Sequence, residues 1–173
     1  MDDGWHVYVT DRLAAFLGAP DVPWAKEQIV MTQTAYPTTD YTAHFVVQAD
    51  PATVFAAPTT RAGLAGWWTA WTSVTGSGAE GGEVRFPFGG HDQLVIHVDA
   101  ARPNTVAWSV EECAVLPEWA GTRPTLTIRP LADGGTEIDF HHVGLAPALE
   151  CFGECRNGWD QYLASLQVYL ASA

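Results

Sequence analysis

Positive charge is scarce in this chain of 173 residues, which has eight lysines and arginines against twenty aspartates and glutamates. Lys26 is the only lysine, and the formal net charge is −12 at pH 7. Binding a nucleic acid or an anionic membrane requires clustered positive charge, which this sequence does not supply. We therefore expect neither nucleic acid nor membrane among the partners of this protein.

Cysteine is also scarce, since the chain has three cysteines, an odd number without the spacing of a disulfide scaffold. No stretch approaches the ~20 apolar residues that cross a bilayer, and the N-terminus lacks the basic start and apolar run of a secretion signal. The glycine motifs that bind phosphates or dinucleotides are missing as well. These absences predict a cytoplasmic protein without a cofactor.

Large aromatic residues, by contrast, are abundant: there are eight tryptophans, seven phenylalanines and five tyrosines. Only 16% of the residues are charged, which excludes a disordered chain or a coiled coil. A chain of this length builds one domain with a sizeable core. Rings in such number must fill that core, line a cavity, or do both.

The first 39 residues differ from the rest and are interpreted as an N-terminal extension, residues 1–39. Thr10 is a suitable N-cap for a short helix over residues 11–17. Residues 20–37 contain three prolines and predict an irregular connector. We expect the apolar side chains of this extension to dock on the main domain, residues 40–173.

The main domain opens with alternating apolar residues that predict a strand over Tyr41–Gln48. Asp50 is a natural N-cap, and Pro51 suits the first position of a helix that Pro58 should end quickly. A second short helix is predicted for Arg61–Trp68. Two short helices therefore follow the first strand.

Five alternating apolar runs come next, and tight turns at residues 75–82 and 133–135 mark where strands begin. Short consecutive strands of this kind predict an antiparallel meander. Strand alternation sends one set of side chains to a common face. This set comprises Val84, Phe86, Phe88, Leu94, Ile96, Val98, Val106, Trp108, Val110, Leu126, Ile128, Ile138, Phe140 and His142.

The last predicted element is a long helix from Ala146 to about Leu170. Its apolar residues recur at spacings of three and four, as on one face of a helix. A helix of this length is about 36 Å long and would reach across a whole curved sheet. The apolar face comprises Phe152, Cys155, Trp159, Leu163, Leu166 and Leu170.

The order of these elements and several short motifs resemble the START-like (SRPBCC) superfamily, and most closely the proteins related to the activator of the heat-shock-protein-90 ATPase. The resemblance covers roughly residues 40–171. It implies an α+β helix-grip fold, in which a curved antiparallel sheet wraps a long C-terminal helix and leaves a ligand cavity between them. The motifs lie at residues 40–45, 50–55, 66–68, 82–86, 119–122, 140–145 and 150–159.

On the helix-grip arrangement, the predicted inward side chains form a candidate site for a flat apolar ligand. The candidate ligand-binding residues are Trp67, Trp68, Phe86, Phe88, Trp108, Phe140, His142, Cys155 and Trp159. His142 is also the one candidate catalytic residue, since a histidine in an apolar cavity can act as a general acid or base. The alternative interpretation is a structural histidine whose hydrogen bonds are satisfied.

Two cysteines four residues apart, Cys151 and Cys155, share one face of the long helix. With His141 and His142 nearby in sequence, a zinc site is one interpretation of this pair. Zinc-binding cysteines usually come as C-x2-C on turns, so we favour buried cysteines that pack as small hydrophobic residues and expect no metal. A Cys155–His142 nucleophile–base pair is the other alternative.

Three functions are compatible with these observations, and we expect a binding or self-resistance protein rather than a turnover enzyme. The first is binding of a hydrophobic, aromatic or polyketide-derived small molecule for antibiotic self-resistance, by sequestration or by sacrificial hydrogen donation from a glycine Cα. The second is a polyketide cyclase or aromatase using His142, Arg85 or Arg123. The third is a co-chaperone that stimulates a chaperone ATPase. The glycine candidates are Gly89, Gly90, Gly121 and Gly144.

Overall fold

The computed structural model of the protein describes residues 39–68, 75–88 and 91–172. The side chains of residues 87, 88 and 91–93 are outside this description. The predicted N-terminal extension and its short helix lie outside the described residues, apart from residue 39. The turn glycines Gly89 and Gly90 lie outside them too.

The first strand and the two short helices are confirmed. Strand β1 spans Tyr41–Val47, helix α1 spans Pro51–Thr59 and helix α2 spans Arg61–Trp67. The Asp50 carboxylate accepts hydrogen bonds from the backbone N–H groups of residues 52 and 53, which satisfies two free donors at the start of α1. Thr60 caps α2 in the same way, so the helices follow each other without a linker.

The strands form one antiparallel sheet of seven strands, which confirms the predicted meander. Its spatial order is β1-β7-β6-β5-β4-β3-β2, so the first strand closes against the last. Every predicted inward residue that the structure describes is buried, as strand alternation requires. The remaining strands are β2 (Thr75–Gly76), β3 (Glu83–Phe88), β4 (His91–Arg102), β5 (Thr105–Cys113), β6 (Arg123–Pro130) and β7 (Thr136–Val143).

The long C-terminal helix α3 spans Phe152–Ala171, and its predicted apolar face is buried against the curved sheet, α1 and α2. The predicted start at Ala146 is wrong by six residues. Pro147 disfavours a helical conformation for the residue before it, and residues 146–151 form turns instead. The described helices include none that is long and apolar enough to span a membrane.

The start of α3 is held by a carboxylate from another element. A short 3-10 turn, Pro117–Trp119, follows β5, and its Glu118 accepts hydrogen bonds from the backbone N–H groups of Glu150 and Cys151 at 3.1 and 2.9 Å. Cys151 is the N-cap of α3, and its N–H group is among those that a helix start leaves without an internal partner. A residue more than thirty positions upstream therefore helps to determine where α3 begins.

Candidate functional site

Trp68 and five other aromatic side chains meet between the concave face of the sheet and α3, and we call these six side chains the Trp68 cluster. Trp68 is the C-cap of α2, and its ring is nearly parallel to that of Trp108 on β5, with centroids 5.5 Å apart and planes at 28°. Its other neighbours come from α2, β3 and α3. They are Trp67, Phe86, Trp159 and Tyr162, at centroid distances of 5.5, 4.7, 5.2 and 6.3 Å.

A second group of side chains surrounds His142 and shares the Trp159 ring with the first, and we call it the His142 network. The Trp159 Nε1–H donates to His142 Nδ1 at 2.8 Å, so the histidine proton lies on Nε2. That Nε2–H donates to Thr122 Oγ1 at 2.7 Å, and the Thr122 hydroxyl donates to the Trp119 carbonyl oxygen at 2.6 Å. The ring of His142 is fully enclosed and both of its nitrogens are engaged.

Burial determines the charge state of His142. It lowers the pKa of the imidazole to about 3, while Asp40 acts in the raising direction and His141 in the lowering direction. The neutral ring is the form that can both accept from Trp159 and donate to Thr122. At neutral pH, His142 is therefore a neutral hydrogen-bonding bridge between α3 and the segment before β6.

Trp119 belongs to the His142 network and was absent from the predicted site. Its ring is stacked on Trp159 with centroids 5.7 Å apart and planes at 3°, and its Nε1–H donates to Cys155 Sγ at 3.2 Å. Thr122 and Tyr162 were absent from the prediction as well. Tyr162 could have been found, because it lies one helical turn after Trp159, whereas Trp119 and Thr122 lie in an irregular segment without periodicity.

The predicted ligand-binding residues thus divide between the two groups. Trp67, Trp68, Phe86 and Trp108 belong to the Trp68 cluster, and Trp159 belongs to both groups. The ring of Phe140 lies next to that of Trp159, with centroids 4.5 Å apart. Phe88 lies on β3, but its side chain is outside the description. The two remaining predicted residues, His142 and Cys155, are in the His142 network.

The indole N–H groups of the five buried tryptophans in the described part differ in whether they have an acceptor. Trp119 and Trp159 donate as described, and Trp67 Nε1–H donates to the Ala57 carbonyl oxygen at 3.1 Å. Trp68 and Trp108 are 2% and 0% exposed, and among the described residues no acceptor lies within hydrogen-bond distance of either Nε1. Buried donors without an acceptor are rare in proteins.

The three cysteines are all buried and reduced. Burial raises the pKa of Cys113 to about 11, and a hydrogen bond with Cys155 together with burial raises that of Cys151. Thiolates are the nucleophilic and metal-binding form, and raised pKa values disfavour them. In the described part of the chain, no three histidine, cysteine, aspartate or glutamate side chains are arranged to hold a metal ion. The hydrogen bonds of His142 go to Trp159 and Thr122, not to Cys155.

The candidate arginines and glycines lie away from the ring cluster or in turns. Arg85 alternates with the inward Val84 and Phe86, is 41% exposed and pairs with Glu83. Arg123 is exposed at the start of β6. Gly121 and Gly144 have φ values of +85° and +90°, so each occupies a left-handed turn that glycine favours.

The family model described as Activator of Hsp90 ATPase homolog 1-like protein matches residues 48–171, which contain every described member of both side-chain groups. No curated protein sequence matches this chain.

Solved structures resemble the fold. The solution structure of the Aha1 dimer from Colwellia psychrerythraea is 25% identical, with a TM-score of 0.65, and the match covers 76% of this chain and 96% of that one. An HSP90 activator from Plasmodium falciparum is 15% identical, with a TM-score of 0.63, covering 76% and 96%. DynU16, a protein in the dynemicin biosynthetic locus, is 20% identical, with a TM-score of 0.58, covering 78% of this chain and 48% of that one.

Proposed function

Because this chain belongs to the Activator of Hsp90 ATPase homolog 1-like family, we propose that it binds a hydrophobic, aromatic small molecule between the sheet and α3, at the Trp68 cluster. The molecule is held by stacking on the indole rings. Polyketide-derived aromatic compounds are the ligand class that we consider first.

The arrangement of rings around Trp68 is the observation that carries this proposal. Five aromatic side chains from α2, β3, β5 and α3 surround one indole, and four of the six rings are tryptophans. A flat ligand that enters among them gains stacking on several faces. Removing ~200 Å² of its apolar area from water contributes about 5 kcal/mol before the cost of association.

Binding is favoured over catalysis because the candidate acid–base group and the candidate carbonyl-polarising groups are engaged or directed elsewhere. A general base needs a free nitrogen within reach of the substrate, and both nitrogens of His142 are bonded to protein groups. The arginines that could polarise a substrate carbonyl, Arg85 and Arg123, are on the outer face or exposed. A cyclase would therefore need a rearrangement of the His142 network.

Sequestration for antibiotic self-resistance is the biological role that we propose for this binding. The support is indirect: DynU16, which shares the fold, is a protein in the dynemicin biosynthetic locus. A protein that encloses a reactive aromatic product would protect its host without turnover. Such a role requires affinity and stoichiometric amounts of protein, not a catalytic group.

The test compares two variants, Trp108→Ala and His142→Ala, in binding of indane, a flat bicyclic hydrocarbon, measured by titration calorimetry. We expect Trp108→Ala to lower the affinity about tenfold or more, since it removes a stacking face, and His142→Ala to have a smaller effect. Circular dichroism verifies that each variant is folded. Native mass spectrometry of protein purified from its own host adds a search for a retained ligand.

Two outcomes would contradict the proposal. No binding of indane or other flat aromatic compounds by the unmodified protein would exclude this ligand class. If His142→Ala abolished product formation from a poly-β-ketone substrate while indane still bound, the cyclase function would be favoured instead.

Activation of a chaperone ATPase is a second candidate, and the family match is the observation that favours it. The large apolar residues that are exposed in the described part are Val46, Val143 and Val168, on three different elements. An ATPase assay with the Hsp90 of the same host tests this function. Stimulation that persists in Trp108→Ala would favour a role of the surface over a role of the Trp68 cluster.

A further inference from the structure

The five buried tryptophans that the structure describes fall into two classes by their indole N–H groups. Trp67, Trp119 and Trp159 each donate to a protein acceptor at 2.8 to 3.2 Å. Trp68 and Trp108 donate to no described residue, although both rings are enclosed. The two indole rings that carry these unpartnered donors are neighbours, stacked with their centroids 5.5 Å apart.

An unpartnered buried donor is costly, because folding removes its water partner and supplies no replacement. A phenylalanine at either position would fill most of the same space without this cost. The sequence nevertheless has tryptophan at both positions, at the centre of the cluster to which we assign ligand binding. This placement is what a binding site requires if the ligand supplies the missing acceptor.

The surroundings restrict the charge of that acceptor. In the described part of the chain, the buried polar or charged residues are Thr122, Thr136 and His142, so no lysine or arginine is buried beside the rings. An anionic ligand would bury its charge there without a counter-ion, which is strongly unfavourable. A neutral carbonyl oxygen has two lone pairs and can accept from one or two indole N–H groups without this penalty.

We propose that Trp68 and Trp108 are the polar recognition elements of the site, and that the ligand is a flat, neutral aromatic ketone or quinone whose carbonyl oxygen accepts from their Nε1–H groups. This inference rests on the proposed function. It adds that the site selects aromatic carbonyl compounds over aromatic hydrocarbons of the same shape. The carbonyl group is the feature by which the site distinguishes its ligand.

The experiment uses a matched pair of probes, indane and 1-indanone, which have the same fused rings and differ by one carbonyl group. Titration calorimetry gives the ratio of their dissociation constants for the unmodified full chain and for Trp68→Phe and Trp108→Phe. Each variant removes the N–H group and keeps an aromatic ring. We expect the preference for 1-indanone to fall about tenfold in at least one variant, as for loss of one hydrogen bond.

The matched control is Trp119→Phe, which removes an indole N–H that already has a protein acceptor and should leave the preference unchanged. A measurement on the unmodified protein avoids the folding defects that a substitution could introduce. In NMR spectra of the protein with ¹⁵N-labelled indoles, 1-indanone should shift the Trp68 and Trp108 N–H resonances and indane should not. Trp68→Phe and Trp108→Phe assign these two resonances.

Each outcome separates the two proposals. Binding of both probes with a ratio that neither Trp68→Phe nor Trp108→Phe alters would overturn the carbonyl inference and leave the proposed function standing. A shift of the Trp119 resonance in place of the Trp68 and Trp108 resonances would do the same. Failure of both probes to bind would overturn the proposed function and this inference with it.

Discussion

The two groups of side chains that share the Trp159 ring provide different environments, although one sheet and one helix enclose both. On one side, Trp119 is stacked on Trp159 and a continuous chain of hydrogen bonds runs from Trp159 through His142 and Thr122 to a backbone carbonyl. On the other side, Trp68 and Trp108 contact their neighbours through ring faces and edges alone. Burial is nearly complete in both groups.

The difference shows that a side chain can be fully buried without a hydrogen-bond partner for its polar group. A satisfied network holds its members in one arrangement, because moving any ring breaks a hydrogen bond. Rings held by contact alone have no such restraint, so they can be displaced or rearranged at a lower cost. The hydrogen bonds of the His142 network therefore fix its members, whereas the rings of Trp68 and Trp108 are held by packing alone.

The largest expected effect comes from removing the ring that both groups share. Trp159→Ala should lower the free energy of unfolding by about 3–5 kcal/mol, because it deletes a buried indole that touches both groups. Chemical denaturation measures this. Val168→Ala, at a position 69% exposed on the same helix, is the control and should change stability by no more than about 0.5 kcal/mol. A loss below about 1 kcal/mol for Trp159→Ala would mean that the two groups do not depend on this ring.

Acid should weaken the His142 network. The pKa of His142 is lowered from 6.5 to about 3 in the folded state, so between these values the unfolded chain binds a proton that the folded chain excludes. The contribution of His142 to the free energy of unfolding is therefore fully present above pH 6.5. Below that pH it decreases by about 1.4 kcal/mol for each pH unit.

His142→Gln isolates this contribution, because the glutamine amide can accept from Trp159 and donate to Thr122 without titrating. We expect chemical denaturation between pH 6.5 and pH 4.5 to show that the free energy of unfolding falls more steeply with decreasing pH for the unmodified protein than for the variant. Parallel profiles for the two proteins would contradict the assigned pKa and the neutral form of the ring.

The smallest effect sharpens the comparison between neighbouring tryptophans. Trp67→Phe removes a hydrogen bond to Ala57, whereas Trp68→Phe removes an N–H group without a partner. Both rings are 2% exposed, so the loss of ring volume is similar. We expect Trp67→Phe to be more destabilising than Trp68→Phe by about 1 kcal/mol, measured by denaturation. Equal losses would mean that the Trp68 N–H finds an acceptor in the free protein.

Much of the fold could be predicted because its information is local and periodic. Alternation in the strands placed residues such as Trp108 and Phe140 on the concave face, and the helical period placed Trp159 opposite them. Asp50 and Pro51 marked the start of α1 because capping depends on adjacent residues. The resemblance to the START-like superfamily then supplied the way in which sheet and helix pack.

The features that were missed depend on contacts between distant residues. The carboxylate at the start of α3 comes from Glu118, in a turn between two strands. A β-bulge between β4 and β5 leaves Glu111 without a partner in β4, and alternation along a single strand does not predict such a shift of register. Local periodicity also cannot show which indole finds an acceptor, because the acceptors of Trp119 and Trp159 lie in other elements.

The pairing of β1 with β7 has a consequence for the synthesis of the protein on the ribosome. Each residue of β1 finds its hydrogen-bonded neighbour about 90 to 100 residues later in the chain. At a synthesis rate of about 5–20 residues per second, β1 waits roughly 5–20 seconds for that neighbour. During this interval its two edges and its apolar face, which includes Tyr41 and Val47, are open to other chains. The nascent chain is thus at its most vulnerable to aggregation before β7 emerges.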